Sequence, residues 1–403
     1  MRRPRAAANR PYAIVIGLDT MQGLQTARIL AERGVPVIAY ASSPSHHACR
    51  TNVCERILIA PTGDELLDSL EALGPTLGQK AVLIPCQDGK VLTVSRHRER
   101  LSPWYHVLLP AQETVEMLMD KTAFYRFALE HGHPIAPTRF LESRADAESA
   151  AAELTFPVIL KPSYRSSVWT ENTTAKGFKC ENPDQLLARY DRCSAWSAEL
   201  IAQKWIPGSV ADLYSCNAYL DREGNVLASF VARKLRQWPP DTGQSSLGEE
   251  CREEAVRDET LRLLEAVGYT GLAYVETKRD PTTGRHYIVE PNVGRPTGRS
   301  AIAEGGGVEL LYTMYCDATG LPLPAARVQA FTGVKWVHLR RDLQSAFVGF
   351  RRGELSVGGW WRSFRGRKVY AVFSWRDPLP FVLDIWEAVR AALSPVERRK
   401  RSL

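Results

Sequence analysis

Apolar runs and amphipathic stretches alternate along the first hundred residues. "YAIVIGLDTMQGLQTARILAERGVPVIAYAS" reads as a strand, a Gly-containing turn, an amphipathic helix and a second strand. That order is a βαβ unit and implies a parallel sheet. "ERILIAP", "AVLIPCQDG" and "YHVLLP" supply further apolar strands, with helical segments between them. Residues 11–115 therefore read as a small doubly wound domain. Two helical segments follow, "AQETVEMLMD" and "KTAFYRFALEHG", and "HPIAPT" ends the second. The pattern then changes. Residues 138–210 give strand, helix, strand ("FPVILKPS"), irregular loop, strand, helix, strand ("LIAQKWIPG"), a compact α+β unit. From residue 212 hairpins take over. "LYSCNAYLDREGNVLASFVARKL" turns on Asp-Arg-Glu-Gly-Asn, and "GLAYVETKRDPTTGRHYIVEPN" turns on Pro-Thr-Thr-Gly, with a helix between the two. There is no internal repeat.

Composition adds bounds. At 403 residues the chain is too long for one ordinary core and calls for two or three subdomains. Hydrophobic residues at 44% and charged residues at 24% are ordinary for a globular protein and exclude extensive disorder. The net charge of +7 gathers partly at the ends, in Arg2, Arg3, Arg5 and Arg10 and in the closing "ERRKRSL". With no aromatics interleaved, both read as solvated tails, with contact to nucleic acid or anionic lipid as the alternative. The 8 cysteines include no C-x-x-C pair, so neither a disulfide framework nor a zinc site is indicated. No apolar stretch is long enough to span a bilayer, and the basic start lacks a signal-peptide core. The reading is a cytoplasmic protein with reduced thiols.

The candidate chemistry sits in the second hairpin. Glu290 and Asn292 are two apart on one strand and share a face, and Glu276 lies on the partner strand. Counting back from the turn brings the two carboxylates to neighbouring positions. Like charges there are tolerated when a cation lies between them, and oxygen ligands of this kind suit Mg²⁺. The other reading is a solvated hairpin face paired with Lys278 and Arg279. Lys161 ends an apolar strand, where a lysine needs an anionic partner. Lys121 begins a helix after Asp120, as a phosphate contact or as an exposed first-turn residue. Asp88 and Gly89 follow a strand end, where sheets of this type place ligands. The turn Gly17–Gly23 can hold phosphate, but it is not G-x-G-x-x-G; tight strand-to-helix packing is the alternative.

Taken in order, the Asp120-Lys121 helix start, "PVILKPS", "AQKWIPG", "YVETKRD" and "YIVEPNVGRP" resemble the motifs of the ATP-grasp superfamily over about residues 11–320. Within it the chain looks most like the predicted carboxylate–amine ligases, a group that includes D-aspartate ligase-like proteins. "ARKLRQWPP" resembles their basic segment near the phosphates. The resemblance implies an ATP-grasp fold over residues 116–325, with a lid at about 138–210, preceded by the α/β domain. It implies ATP and Mg²⁺ (or Mn²⁺) as cofactors and small-molecule carboxylate and amine substrates. Lys121 and Lys161 match the phosphate-holding lysines. Gln203 matches the hinge position that meets the adenine amino group, with the backbone of Lys204 and Ile206 completing the contact. Asp212 falls near the ribose-binding acid. Glu276, Glu290 and Asn292 match the metal ligands. Arg295 matches the arginine that steadies the transferred phosphate, and Lys234, Arg236 and Arg299 are anion contacts. The implied reaction is ligation through an acyl phosphate, with a nucleotide-binding protein that does not turn over as the alternative.

Two features depart from the family pattern. Relatives carry arginine two after the asparagine, whereas Arg295 is three after, so Arg299 is the other candidate for its role. The loop "SYRSSVWTENTTAKGFK" has no Gly-rich run, leaving Lys176 and Gly177 for part of that work. Residues 326–403 hold Trp336, Trp360, Trp361, Trp375 and Trp386 among many arginines. They read as a cap with an aromatic core, as a peripheral membrane contact or acidic-partner patch, or as a surface that stacks on nucleic acid. A homodimer is compatible with all of this.

Overall fold

The computed structural model describes residues 10–164, 166–240 and 243–393. Arg2, Arg3, Arg5 and the closing "ERRKRSL" lie outside the described residues.

The described residues form three sheets. The first contains β1 (Ala13–Ile16), β2 (Val37–Ala41), β3 (Arg56–Ile59), β4 (Ala81–Pro85) and β5 (Tyr105–Val107) in the order β3-β2-β1-β4-β5. All its pairings are parallel. The central strands are buried at every position, which is why they read as unbroken apolar runs rather than alternating ones. Between β1 and the helix Met21–Glu32 the backbone packs closely. A Cβ at Gly23 would lie 2.1 Å from the Gly17 carbonyl oxygen, so this turn fits tight strand-to-helix packing.

The second sheet contains β6 (Thr138–Leu141), β7 (Val158–Pro162), β8 (Phe178–Cys180) and β9 (Leu200–Lys204), ordered β6-β9-β7-β8 and antiparallel. The irregular loop after β7 contains a short helix, Ser167–Asn172, anchored by the fully buried Trp169, whose Nε1–H donates to the Ala175 carbonyl at 2.9 Å.

The third sheet runs β14-β13-β10-β11-β12-β15-β16. Its strands are β10 (Leu213–Leu220), β11 (Val226–Trp238), β12 (Gln244–Glu250), β13 (Gly271–Arg279), β14 (His286–Val293), β15 (Lys335–Val337) and β16 (Lys368–Tyr370). The strand "QSSLGEE" carries no apolar alternation, yet β11 runs on far enough to pair with it. Beyond residue 326 the chain extends this sheet: β15 pairs with β12, and β16 lies parallel to β15.

Apolar burial joins the α/β layer to this sheet. Leu24 and Ala27 of the helix Met21–Glu32 share one core with Ile302, Leu311 and Phe230. Ile14 and Leu83 share another with Val275 and Ile288. A cleft is thereby fixed between the carboxyl ends of the parallel strands and the antiparallel sheet.

Candidate active site

The site is organised by one irregularity in the β13–β14 hairpin. From the turn outward, Arg279 pairs with His286, Lys278 with Tyr287 and Thr277 with Ile288. Regular pairing would then set Glu276 opposite Val289. Instead the register shifts after Thr277, Val289 is the extra residue, and Glu276 stands opposite Glu290. Tyr274 then pairs with Asn292 on the same face. A bulged residue lacks a ladder partner, and here the Val289 carbonyl accepts the Tyr125 hydroxyl at 2.7 Å. Tyr274 donates to Glu276 Oε2 at 2.8 Å. Tyr274 lies two before Glu276, so the same-face rule that picked out Glu290 and Asn292 could also have found it.

Cations surround the two carboxylates. A cavity of about 460 Å³ is lined by Glu276, Glu290, Asn292, Lys121, Lys176, Lys234, Arg295 and Arg299, with Met21, Gln22 and Asp88 from the α/β layer and Trp336 from β15. Lys121 opens the helix Lys121–Glu130, behind the N-cap Asp120. Lys161 is buried; its Nζ donates to the Tyr125 hydroxyl at 2.8 Å and to Gln203 Oε1 at 2.9 Å. Burial pushes its ammonium down to about 8, against the pull of Glu290. Burial also lowers Lys234, which Glu276 holds up in part. Arg299 is 4% exposed, with Nε donating to Ser215 Oγ at 3.3 Å. A Cβ on Gly248 would lie 2.3 Å from its Nη1, so the guanidinium needs glycine there. No described carboxylate ion-pairs with Lys161, Lys234 or Arg299, although buried cations ordinarily have such partners.

Arg295 differs from these cations. It donates to Asp88 of the α/β layer and to Asn292 Oδ1, linking the two sides of the cleft. Arg236 stands outside the cavity, in a two-pronged pair with Asp342 at 2.8 and 2.9 Å and donating to Ser363 Oγ at 2.7 Å.

The expected hinge residues lie along and just after β9. Gln203 is buried, with its amide donating to Thr138 Oγ1 at 2.8 Å. The Lys204 N–H donates to the Pro137 carbonyl at 2.8 Å, in register with the pair Thr138–Gln203. Pro137 has no N–H to return the bond, so the Lys204 carbonyl has no ladder donor on that side. Ile206 is half-buried in the otherwise exposed segment after β9. Asp212 Oδ2 accepts from the Ser209 backbone at 2.7 Å and from its hydroxyl at 3.1 Å, closing a capping box away from the cavity lining.

The donor set of Glu276, Glu290 and Asn292 consists of hard oxygens, and its opposed carboxylates suit a divalent cation. Asn292 would exchange its bond to Arg295 for one to the metal.

No family profile matches the chain. It is 26% identical over 235 residues to D-aspartate ligase of Enterococcus faecium, covering 55% of each protein. The chain spans about half the length of the curated relatives it matches. Among solved structures, it superposes with a TM-score of 0.62 on N5-carboxyaminoimidazole synthetase from Staphylococcus aureus complexed with ADP, at 16% identity over 82% of this chain and 81% of that one. A TM-score of 0.62 is also found with the biotin carboxylase domain of Hydrogenobacter thermophilus 2-oxoglutarate carboxylase, at 15% identity over 79% of this chain and 72% of that one. That domain was solved with MgADP, ADP and bicarbonate. The chain therefore has the ATP-grasp fold preceded by a parallel-sheet α/β layer, and its sequence is similar to that of a D-aspartate ligase.

Proposed function

We propose that the protein is an ATP-dependent carboxylate–amine ligase, which forms an amide through an acyl phosphate and releases ADP and phosphate. The observation that carries this reading is the bulge that sets Glu276 against Glu290 in a cavity lined by cations, of which Lys234 and Arg299 ion-pair with no described carboxylate. Lys121 and Lys161 hold the nucleotide phosphates. Gln203 and the free Lys204 carbonyl take the adenine amino group, and Ile206 offers its backbone beside them. Asp212 would have to leave its cap to reach the ribose. Magnesium (or manganese) held by Glu276, Glu290 and Asn292 would offset phosphate charge. Lys234, Arg295 and Arg299 would meet the γ-phosphate, where charge moves during transfer. A substrate carboxylate attacks that phosphorus and ADP leaves. An amine then attacks the acyl carbon and phosphate leaves, with no protein nucleophile required.

The substrates enter from the α/β side, where Met21, Gln22 and Asp88 line the cavity. The resemblance to D-aspartate ligase makes D-aspartate the first substrate to try. The test is an array of amino acids and carboxylates scored for ADP and phosphate together, with product mass confirmed. If Mg²⁺·ATP binds and no mixture yields ADP, the protein binds nucleotide without turnover, and the ligase reading falls. We place the reaction in the cytoplasm; among the described residues no helix is long and apolar enough to cross a membrane.

A further inference from the structure

The last helix, Leu379–Leu393, leaves a stripe of apolar side chains exposed. In a surface helix the apolar stripe ordinarily packs inward and the charges face water. Here Phe381 packs against the core and Phe373, and acidic side chains also hold the helix to the protein. Asp384 is 2% exposed and takes a two-pronged contact from Arg340, the shorter arm at 2.7 Å. Glu387 meets His47 Nδ1 at 2.8 Å. The segment leading in is pinned as well. Buried Asp377 accepts from Arg28 at 2.9 Å, from the Thr51 hydroxyl at 2.5 Å and from the Asn52 backbone at 3.1 Å. The helix is therefore held on a fixed footing against the α/β layer.

Its apolar stripe points away from the protein. Leu379, Val382, Ile385, Trp386 and Val389 recur at helical spacing and are all exposed, Trp386 at 57%. Trp375, just before the helix, is 86% exposed. The neighbouring helix Leu339–Arg352 adds exposed Leu343 and Phe347, one and two turns beyond the Arg340 that grips Asp384. Contiguous apolar surface rimmed by polar residues marks an interaction site.

Exposed arginines flank this face, with Glu387 tied to His47 as the exposed acid on the helix. Arg376 and Arg390 are exposed beside the tryptophans, and Arg50 is exposed at the turn on which the helix packs. The sequence after the helix continues with Arg398, Arg399, Lys400 and Arg401. Aromatic residues on the apolar side with arginines at the margin fit the boundary between headgroups and acyl chains of an anionic bilayer. A helix of 15 residues is about 22 Å long, short of the roughly 30 Å hydrocarbon layer, so it would lie on the membrane.

We propose that this face docks the protein on an anionic lipid surface, with the stripe Val382–Trp386–Val389 entering the interface and Arg376 and Arg390 meeting headgroup phosphates. The proposal does not depend on the ligase reading. The test is co-sedimentation of the full chain with phosphatidylcholine vesicles containing phosphatidylglycerol, against vesicles of phosphatidylcholine alone. Binding is expected to the anionic vesicles only and to weaken as salt is raised. Replacing Val382 and Trp386 together by serine should lower partitioning on the order of a hundredfold. Arg376→Glu with Arg390→Glu should weaken it separately. Equal binding to both vesicle types, or none to either, overturns the proposal. So does a concentration-dependent dimer that the serine pair dissolves while vesicles are ignored, which would give the face to a second copy of this chain.

Discussion

Glu276 and Glu290 oppose each other across the β13–β14 ladder, and the bulge at Val289 is what brings them there. Two like charges so placed destabilise the ligand-free hairpin. Replacing Glu290 by Gln should therefore have effects of opposite sign. Without ligand the variant should be more stable by about 0.5 kcal/mol, seen as a small rise in melting temperature. With Mg²⁺·ADP the stabilisation of the wild type should disappear, and ADP release should drop by a factor of about a hundred or more. A variant less stable without ligand would mean that the pair is held by something other than a cation.

Lys161 sets a pH dependence. Burial lowers its ammonium to about 8, below the ordinary lysine value, so the unfolded chain binds that proton more tightly. The ligand-free protein should then gain stability as pH rises through about 8 toward the usual lysine range. Nucleotide binding should behave oppositely, because phosphate favours the charged lysine. Affinity should fall above pH 8, with proton uptake on binding that calorimetry in buffers of different ionisation enthalpy can read. Lys161→Met should bind weakly at every pH and lose the slope.

The parts of this architecture legible in sequence are those with a local signature. β1, β2 and β4 announce themselves as apolar runs because they are buried on both faces. Glu290 and Asn292 are found by same-face spacing. The exact opposition of Glu276 is not, because a bulge follows from packing around Val289 and Tyr125 rather than from hairpin counting. β12 is hidden for a different reason: "QSSLGEE" is held by ladder bonds to β11 and β15 and not by an apolar face. Arg236 looked like an anion contact beside Lys234, but its partner Asp342 lies 106 positions away. Nothing near Arg236 signals that pairing.

The contact between Asp88 and Arg295 joins the α/β layer to the segment that follows β14. Arg295 also holds Asn292, so the three form a chain across the cleft. Asp88 is exposed, and an exposed pair adds little stability. Asp88→Asn should leave the melting temperature nearly unchanged. If Arg295 must release Asn292 to the metal and swing to phosphate, the variant should change kcat and leave nucleotide affinity alone. Equal change in both would make Asp88 part of the nucleotide site instead.

Arg236 and Asp342 present the reverse case. Asp342 is fully buried and also accepts from Trp360 Nε1 at 3.0 Å and from the Ser246 hydroxyl at 3.3 Å. Removing one partner strands the other charge. Asp342→Ala should cost about 3 kcal/mol, measured by denaturant unfolding, and should loosen residues 339–363 from the sheet as read by hydrogen exchange. Nucleotide affinity should change little, because neither residue lines the cavity.

Pro137 offers the cleanest test of the hinge. The Lys204 N–H already donates to its carbonyl, so an amide hydrogen at 137 would be placed to return the bond to the Lys204 carbonyl. Pro137→Ala supplies that hydrogen. The new ladder bond would add about 1 kcal/mol to the ligand-free protein. If the Lys204 carbonyl accepts the adenine amino group, the same bond must be broken on binding, and ATP affinity should fall by about fivefold. Inosine triphosphate, which carries a carbonyl in place of that amino group, should lose nothing further from the substitution. A Pro137→Ala variant that binds ATP as tightly as the wild type would show that the base does not use this carbonyl.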